Sequence, residues 1–468
     1  MSEQLKVSAA EQPKLKLDIK QTVLVGLAFF TVCIFWQVYD ALMPLFLRSF
    51  DQFGSKEWLI GLVMAGDNIL ALILLPLMGR VSDRTKTRFG KRIPYIVIGS
   101  VLAASTLLLV NYAHEAHNLA LLLVSTVFLL IFMCLYRTPA VSLMPDVTPK
   151  QIRSKANAII NIMGVVGGLI ALVLMNENLK LILPEKIGET TYGEPILMLS
   201  TGAGSWVVIG VVAAFMIAAS VFMVFKVKEN LLVEKKREML ERFNINEDAE
   251  EQTEKIKGTG LSKPEMKSYV LILASVVLWF FGYNAATTWF TTFAYDRLGG
   301  TGFSFPMIIA SVAAFAMYIP SSLIGNKIGR RKTILIGIGI MTAGLLIAAL
   351  MVLFVTDANI LKPMMFPVFA LVGAGWATIN VHSYVMAVEL AKKGNTGVFT
   401  GLYYTCSMGA QALTPVLAGL FYGWDYRSLF FYSAFFVAVS AATMFFVKHG
   451  NAKTADNRSA LEKLDNPD

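Results

Sequence analysis

The chain has 468 residues, of which 56% are hydrophobic and 16% charged, with a net charge of +9 and a mean hydropathy of +0.60. A soluble domain carries about 25% charged residues, so the apolar surplus excludes a single ordinary globular core. The basic excess sits between alternate apolar blocks, which excludes a nucleic-acid-binding reading and fits positive-inside sorting at a membrane.

In chain order, residues 1–20 are a polar, lysine-bearing tail. The apolar stretch after them is too long for a signal-peptide core and has no small-residue cleavage site, so it is read as a retained first membrane helix. Blocks of about 20 apolar residues, enough to cross the hydrocarbon, predict helices at 21–47, 58–80, 94–112, 118–144, 153–175 and 203–227. A second set follows at 268–295, 303–325, 333–355, 363–390, 397–422 and 427–448. Between the sets, residues 228–267 are rich in Lys and Glu and read as a solvated cytoplasmic linker with some helix. The expected fold is an all-α membrane protein of twelve transmembrane helices in two six-helix bundles, 21–227 and 268–448, with a tail at 449–468. Basic loops at 80–92, 150–155, 327–332 and 392–393 lie on one side together with the linker, and put both termini in the cytoplasm. The expected location is the cell's inner or plasma membrane.

The two sets of spans repeat each other. Gly79-Arg-Val-Ser-Asp83-Arg84 follows the second span and Gly325-Asn-Lys-Ile-Gly329-Arg330 follows the eighth. The fourth ends in Met144-Pro-Asp146 and the tenth in Ala387-Val-Glu389, an alignment that sets Arg137 opposite Asn380. A duplicated six-helix half is a transporter architecture. No Gly-x4-Gly-Lys-Ser/Thr loop for ATP occurs. His114-x-x-His117 is a lone pair with no metal-site spacing. Cys33, Cys134 and Cys406 lie inside apolar blocks and read as small buried hydrophobes. Neither a catalytic cluster nor a signalling domain is visible, so an embedded enzyme and a sensor are the weaker classes. No metal or cofactor is expected.

A charge at mid-membrane costs at least about 2.5–3.5 kcal/mol on insertion scales. Asp40, Asp67 and Arg137 stand at such depths. Counting about 1.5 Å per residue from the helix ends puts Asp40 and Asp67 at one level in the outer half and Arg137 in the inner half. Two neighbouring carboxylates suit proton coupling; the alternative is that one pairs with an amide such as Asn68. Arg137 is a fixed donor fork for substrate or for an acid, or else a clamp on helix carbonyls. Asn157 and Asn161 rise to the level of Arg137 and either bind solute or bridge helices. In the second half Asn284, Trp289 and Asn380 are the substrate-binding candidates, beside Tyr283, Tyr403, Gln411 and a His382 read as a satisfied core histidine. Gly164, Gly167 and Gly168 offer close helix contact.

These residues resemble the major facilitator superfamily. Gly79-x-x-x-Asp83-Arg84 with Gly90-Lys91-Arg92 is similar to its loop motif between helices two and three, with an insertion. Ser82-Asp-Arg-Thr-Lys-Thr-Arg-Phe-Gly-Lys-Arg-Ile-Pro94, Arg137-Thr-Pro-Ala-Val-Ser-Leu-Met-Pro-Asp146 and Trp36-Gln-Val-Tyr-Asp40 resemble the glycoside–pentoside–hexuronide:cation symporters and the plant sucrose/proton symporters. The resemblance implies alternating access and a sugar substrate. The melibiose-type pair of helix-two aspartates is missing, since Asn68 follows Asp67 and the next acid is Asp83. Asp83, Arg84, Arg92, Asp146, Arg153 and Glu389 then read as a cytoplasmic gate whose ion pairs hold the inner side shut. The combined expectation is a monomeric sugar:proton symporter, with Asp40, Asp67 and Asn68 in coupling. The alternatives are sodium coupling and facilitated movement or export of another solute.

Overall fold

The computed structural model describes residues 17–53, 56–149, 152–175, 203–242, 261–298, 303–390 and 396–450. The predicted tails, apart from residues 17–20, 449 and 450, and the linker beyond residue 242 lie largely outside them. The described residues form thirteen helices and no strand. The first set is α1 (Ile19–Arg48), α2 (Glu57–Arg84), α3 (Ile93–Glu115), α4 (Leu119–Val147), α5 (Arg153–Leu174) and α6 (Ala203–Lys226). A short polar helix, α7 (Glu229–Arg242), begins the linker. The second set is α8 (Lys263–Arg297), α9 (Ser304–Ile328), α10 (Arg330–Phe354), α11 (Ala358–Val388), α12 (Thr396–Trp424) and α13 (Ser428–Phe445).

Local chemistry sets the starts. The Asp18 carboxylate accepts from the Gln21 N–H, and the Asn118 side chain from the Leu121 N–H, each filling a donor that the first turn leaves unpaired. Ser262 and Glu265 form a reciprocal capping box at α8. Helices satisfy their own backbone in oil. Ten of them are long and apolar enough to cross a membrane. The remaining two bundle helices are α5, whose apolar part is the shorter Ile159–Leu174, and α12, which packs between α2 and α8. Large apolar side chains face outward, Ile73 at 67% and Phe225 at 72% exposure, as an oily surround requires. This is a multi-pass membrane protein.

Packing repeats the sequence duplication. α1 packs on α4, α5 and α6, α2 on α4, and α3 on α4 and α6. Seven helices later the scheme returns: α8 on α11, α12 and α13, α9 on α11, and α10 on α11 and α13. The halves meet through α2 on α12, α5 on α9 and α1 on α8, contacts that exchange with one another under the same relation. Glycines permit the close crossings. A Cβ on Gly167 would meet the Phe30 carbonyl oxygen at 2.7 Å, and one on Gly61 would meet the Pro415 carbonyl oxygen at 2.2 Å.

Candidate functional site

α1, α2 and α4 bring Asp40, Asp67 and Arg137 together. Each acid lies within electrostatic reach of the guanidinium, and Asp40 within reach of Asp67. The Arg137 guanidinium also sits 5.4 Å from the centre of the Trp36 ring, one turn before Asp40 on α1. A linear count puts Arg137 in the inner half and the acids in the outer half; the packing of α1, α2 and α4 leaves the three close enough for their charges to interact.

The two acids differ in surroundings. Asp67 Oδ1 accepts from the Asn68 backbone N–H at 2.6 Å and from its side-chain amide at 2.7 Å. Asp40 is exposed although it lies in the middle of a mostly buried helix, so water reaches it within the bundle. Around them, the Trp36 indole nitrogen and the Tyr39 hydroxyl are buried with no hydrogen-bond partner. Two carboxylates against one guanidinium carry a surplus negative charge, which one proton cancels.

The other candidates differ in their surroundings. Asn157 and Asn161 are exposed, one turn apart on α5. Asn284 and Asn380 are half-buried; Asn380 is in hydrogen-bonding reach of the Tyr318 hydroxyl, and the Asn284 amide nitrogen is buried without a partner. Trp289 is committed elsewhere. It is 1% exposed, donates its indole N–H to the Pro415 carbonyl at 3.2 Å and stacks on Tyr422, so it has no surface left for a solute. His382 is bonded to Ser321 and ties α11 to α9, as a core histidine does.

The expected gate residues cluster at the end of the molecule that carries residues 19 and 445. Arg92, 4% exposed, donates to Asp83 and Ser82 and, at 2.7 Å, to Asp146. Lys91 reaches Asp146 at 3.1 Å. Arg153 donates to the Thr148 and Pro145 carbonyls, Arg84 is exposed, and Glu389 pairs with Arg330. These ion pairs join helices of the same half. As placed, these pairs brace each half and none of them bridges the two. Glu229, the first residue of α7, completes the cluster. It is 1% exposed and accepts the N–H groups of Lys91, Arg92 and Ile93 at 2.9–3.1 Å, capping α3.

Among the described residues, the ion pair that does bridge the halves is at the far end. Arg48, ending α1, donates to Asp296 of α8 at 2.6 Å, and the Tyr422 hydroxyl of α12 donates to the same carboxylate at 2.6 Å. Glu57 of α2 is 3.9 Å from Arg48 and packs against Gly419 and Gly423. Sequence reasoning missed this group because charges at helix ends are ordinary in membrane proteins. The signal was the smallness of Gly61, Gly419 and Gly423 on facing helices.

The family pattern of the Major Facilitator Superfamily matches residues 25–415. The chain belongs to that superfamily and is a transporter, with a small-molecule substrate and no enzymatic role. A stretch of 54 residues is 46% identical to the lactose permease of Lactobacillus helveticus, covering 11% of this chain and 8% of that protein. The fold resembles a bacterial homologue of the iron transporter ferroportin in an inward-facing state, with a TM-score of 0.63 at 15% identity over 92% of this chain and 99% of that one. It also resembles the nucleoside transporter NupG, at 0.63 and 13% over 92% and 100%, and a bacterial homologue of the human lysosomal transporter Spinster, at 0.60 and 16% over 92% and 96%. At these identities the likeness is one of fold.

Proposed function

We propose that this chain is a sugar:proton symporter of the inner or plasma membrane, with both termini in the cytoplasm. The observation that carries the reading is a water-accessible Asp40 beside Asp67 and Arg137 in the middle of the bundle. Arg137 offsets Asp67, which Asn68 already holds as an acceptor, and Asp40 is the carboxylate left to take the proton. A bare charge in the hydrocarbon costs at least about 2.5–3.5 kcal/mol, so protonation of the cluster favours the swing of the sugar-loaded carrier, and the carrier returns empty once sugar and proton have both been released. The match to a lactose permease segment supports a glycoside as cargo. With the far-end pair of Arg48 and Asp296 closed, the cluster opens toward the cytosol; when that pair parts, it opens outward.

The test is uptake of labelled lactose and sucrose into proteoliposomes under an imposed proton or sodium gradient. Accumulation driven by the proton gradient supports symport with H+. Accumulation that follows sodium and ignores pH replaces the proton with Na+, and movement only down the sugar gradient makes the chain a facilitator.

A further inference from the structure

Trp36 and Tyr39 stand about one turn apart on α1, with ring centres 5.5 Å apart and planes at 88°. Trp36 carries the Arg137 guanidinium over its ring. Tyr39 is 2% exposed and stacks on Phe35, with centroids 5.8 Å apart and planes within 17°. Contact with two rings restricts the phenol. Its hydroxyl is buried and has no hydrogen-bond partner. Yet Asp67 of α2 and Asp40, the next residue of α1, are both close enough for their charges to act on it.

The groups around that hydroxyl are few. Arg137 of α4 acts on both acids, and the Cys33 and Cys134 thiols lie in reach of the same guanidinium. α5 beyond residue 155 and α6 before Lys226 hold no ionisable side chain. α3 and α8 bring His114 and Asp296 to α1 at Phe46 and Arg48, about two turns beyond Tyr39. A buried hydroxyl without a partner is costly; it can donate, and a charged carboxylate can only accept. While a proton sits on the two acids, Arg137 matches the one remaining charge and the hydroxyl stays idle. Once the proton leaves, one carboxylate charge is unmatched, and the idle hydroxyl is a donor at hand for it.

We propose that Tyr39 is a positioning residue of the coupling site, whose hydroxyl stays unbonded while Asp40 and Asp67 hold a proton and donates to the pair when that proton is released. This rests on the proton reading above. The released proton leaves Asp40 for water, and Tyr39 keeps its own. A donor to the charged form favours that form, so the pair gives up its proton at a lower pH than it would beside a phenyl ring.

The test is an infrared titration of the full-length protein in proteoliposomes, following the carboxylic-acid C=O stretch that Asp40→Asn removes. Because the two acids interact, its midpoint belongs to the pair. Tyr39→Phe is expected to raise that midpoint by roughly one to two pH units, the worth of one hydrogen bond to a charged group. Fluorotyrosine introduced at position 39, a stronger donor of nearly the same shape, should lower the midpoint, and it decides the matter should the phenylalanine variant fail to fold. A purely structural Tyr39 would cost the phenylalanine variant stability and leave the midpoint where it was. A wild-type midpoint in either folded variant, or a shift of the opposite sign, overturns the role of Tyr39 and leaves the proton reading standing. If Asp40→Asn removes no carboxylic-acid band, the proton reading itself falls and takes the role of Tyr39 with it.

Discussion

Asp40 and Asp67 are one chemical type at one site, yet their neighbours divide the work. Asp67 is bonded to both nitrogens of Asn68, and Asp40 is open to water. Removing the charge of Asp40 should therefore uncouple without blocking. Asp40→Asn is expected to exchange sugar at close to the wild-type rate while its accumulation ratio falls to unity under a proton gradient. Asp67→Asn leaves Arg137 facing Asp40 alone, so protonating Asp40 would leave the guanidinium unmatched in the hydrocarbon, which is costly; this variant should lose proton-driven accumulation. Equal accumulation by Asp40→Asn and wild type would remove Asp40 from the coupling step.

At the scale of elements, the junction between α2, α3 and α7 is organised by one glutamate. Gly90 has φ of 111°, and a Cβ there would lie 2.2 Å from Glu229 Oε2. Both its backbone angle and its space demand glycine. The carboxylate beyond it receives three consecutive N–H groups, which an α3 N-terminus leaves without intrahelical partners. Hydrogen bonds to a charged group contribute about 1.5–3 kcal/mol each when buried, and losing several together is not additive. Glu229→Ala should lower the unfolding temperature in detergent by several degrees, with Glu229→Gln intermediate. A Glu229→Ala protein as stable as wild type would show that α7 is not anchored there.

Much of the element scale was legible beforehand. Each predicted span matches a helix within about five residues, because an apolar run long enough for the bilayer is itself the physical requirement. Asp40, Asp67 and Arg137 stood out for the same reason, as charges where charge is costly. What stayed hidden depended on partners. Glu229 lies in a Lys/Glu-rich stretch that reads as solvated, and only the fold shows its carboxylate turned onto α3. Trp289 read as a sugar platform because sequence tells an aromatic residue from an aliphatic one but does not tell an open ring face from a packed one. The grouping of Arg137 with the acids depends on how α1, α2 and α4 pack, which a linear count leaves out.

On the scale of the whole molecule, the two halves are joined at one end and braced separately at the other. The joined end rests on Arg48, Asp296 and Tyr422, over a crossing where Gly61 lies against the Pro415 backbone. Alternating access requires that this end part during the cycle. Arg48→Asp or Asp296→Arg alone should slow exchange and leave the far end open, read as faster maleimide labelling of a cysteine introduced at Gly423. The exchanged pair, Arg48→Asp with Asp296→Arg, should restore both. Failure of the double variant to recover would mean that the charges serve folding and not closure. Gly61→Leu should act like the single variants, since its side chain has no room while α2 and α12 are in contact.

The capping of α3 by Glu229 has a bearing on how the chain is strung. It makes the fourteen residues of α7 part of the leading bundle and leaves about twenty residues of chain between α7 and α8. At about 3.3–3.6 Å per extended residue, that length can span at most some 65–70 Å, so its contour alone sets no tight limit on the stroke. Two polypeptides divided near residue 250 and produced together should assemble into a working carrier, whereas a division before Glu229, which strips α7 from its socket, should not.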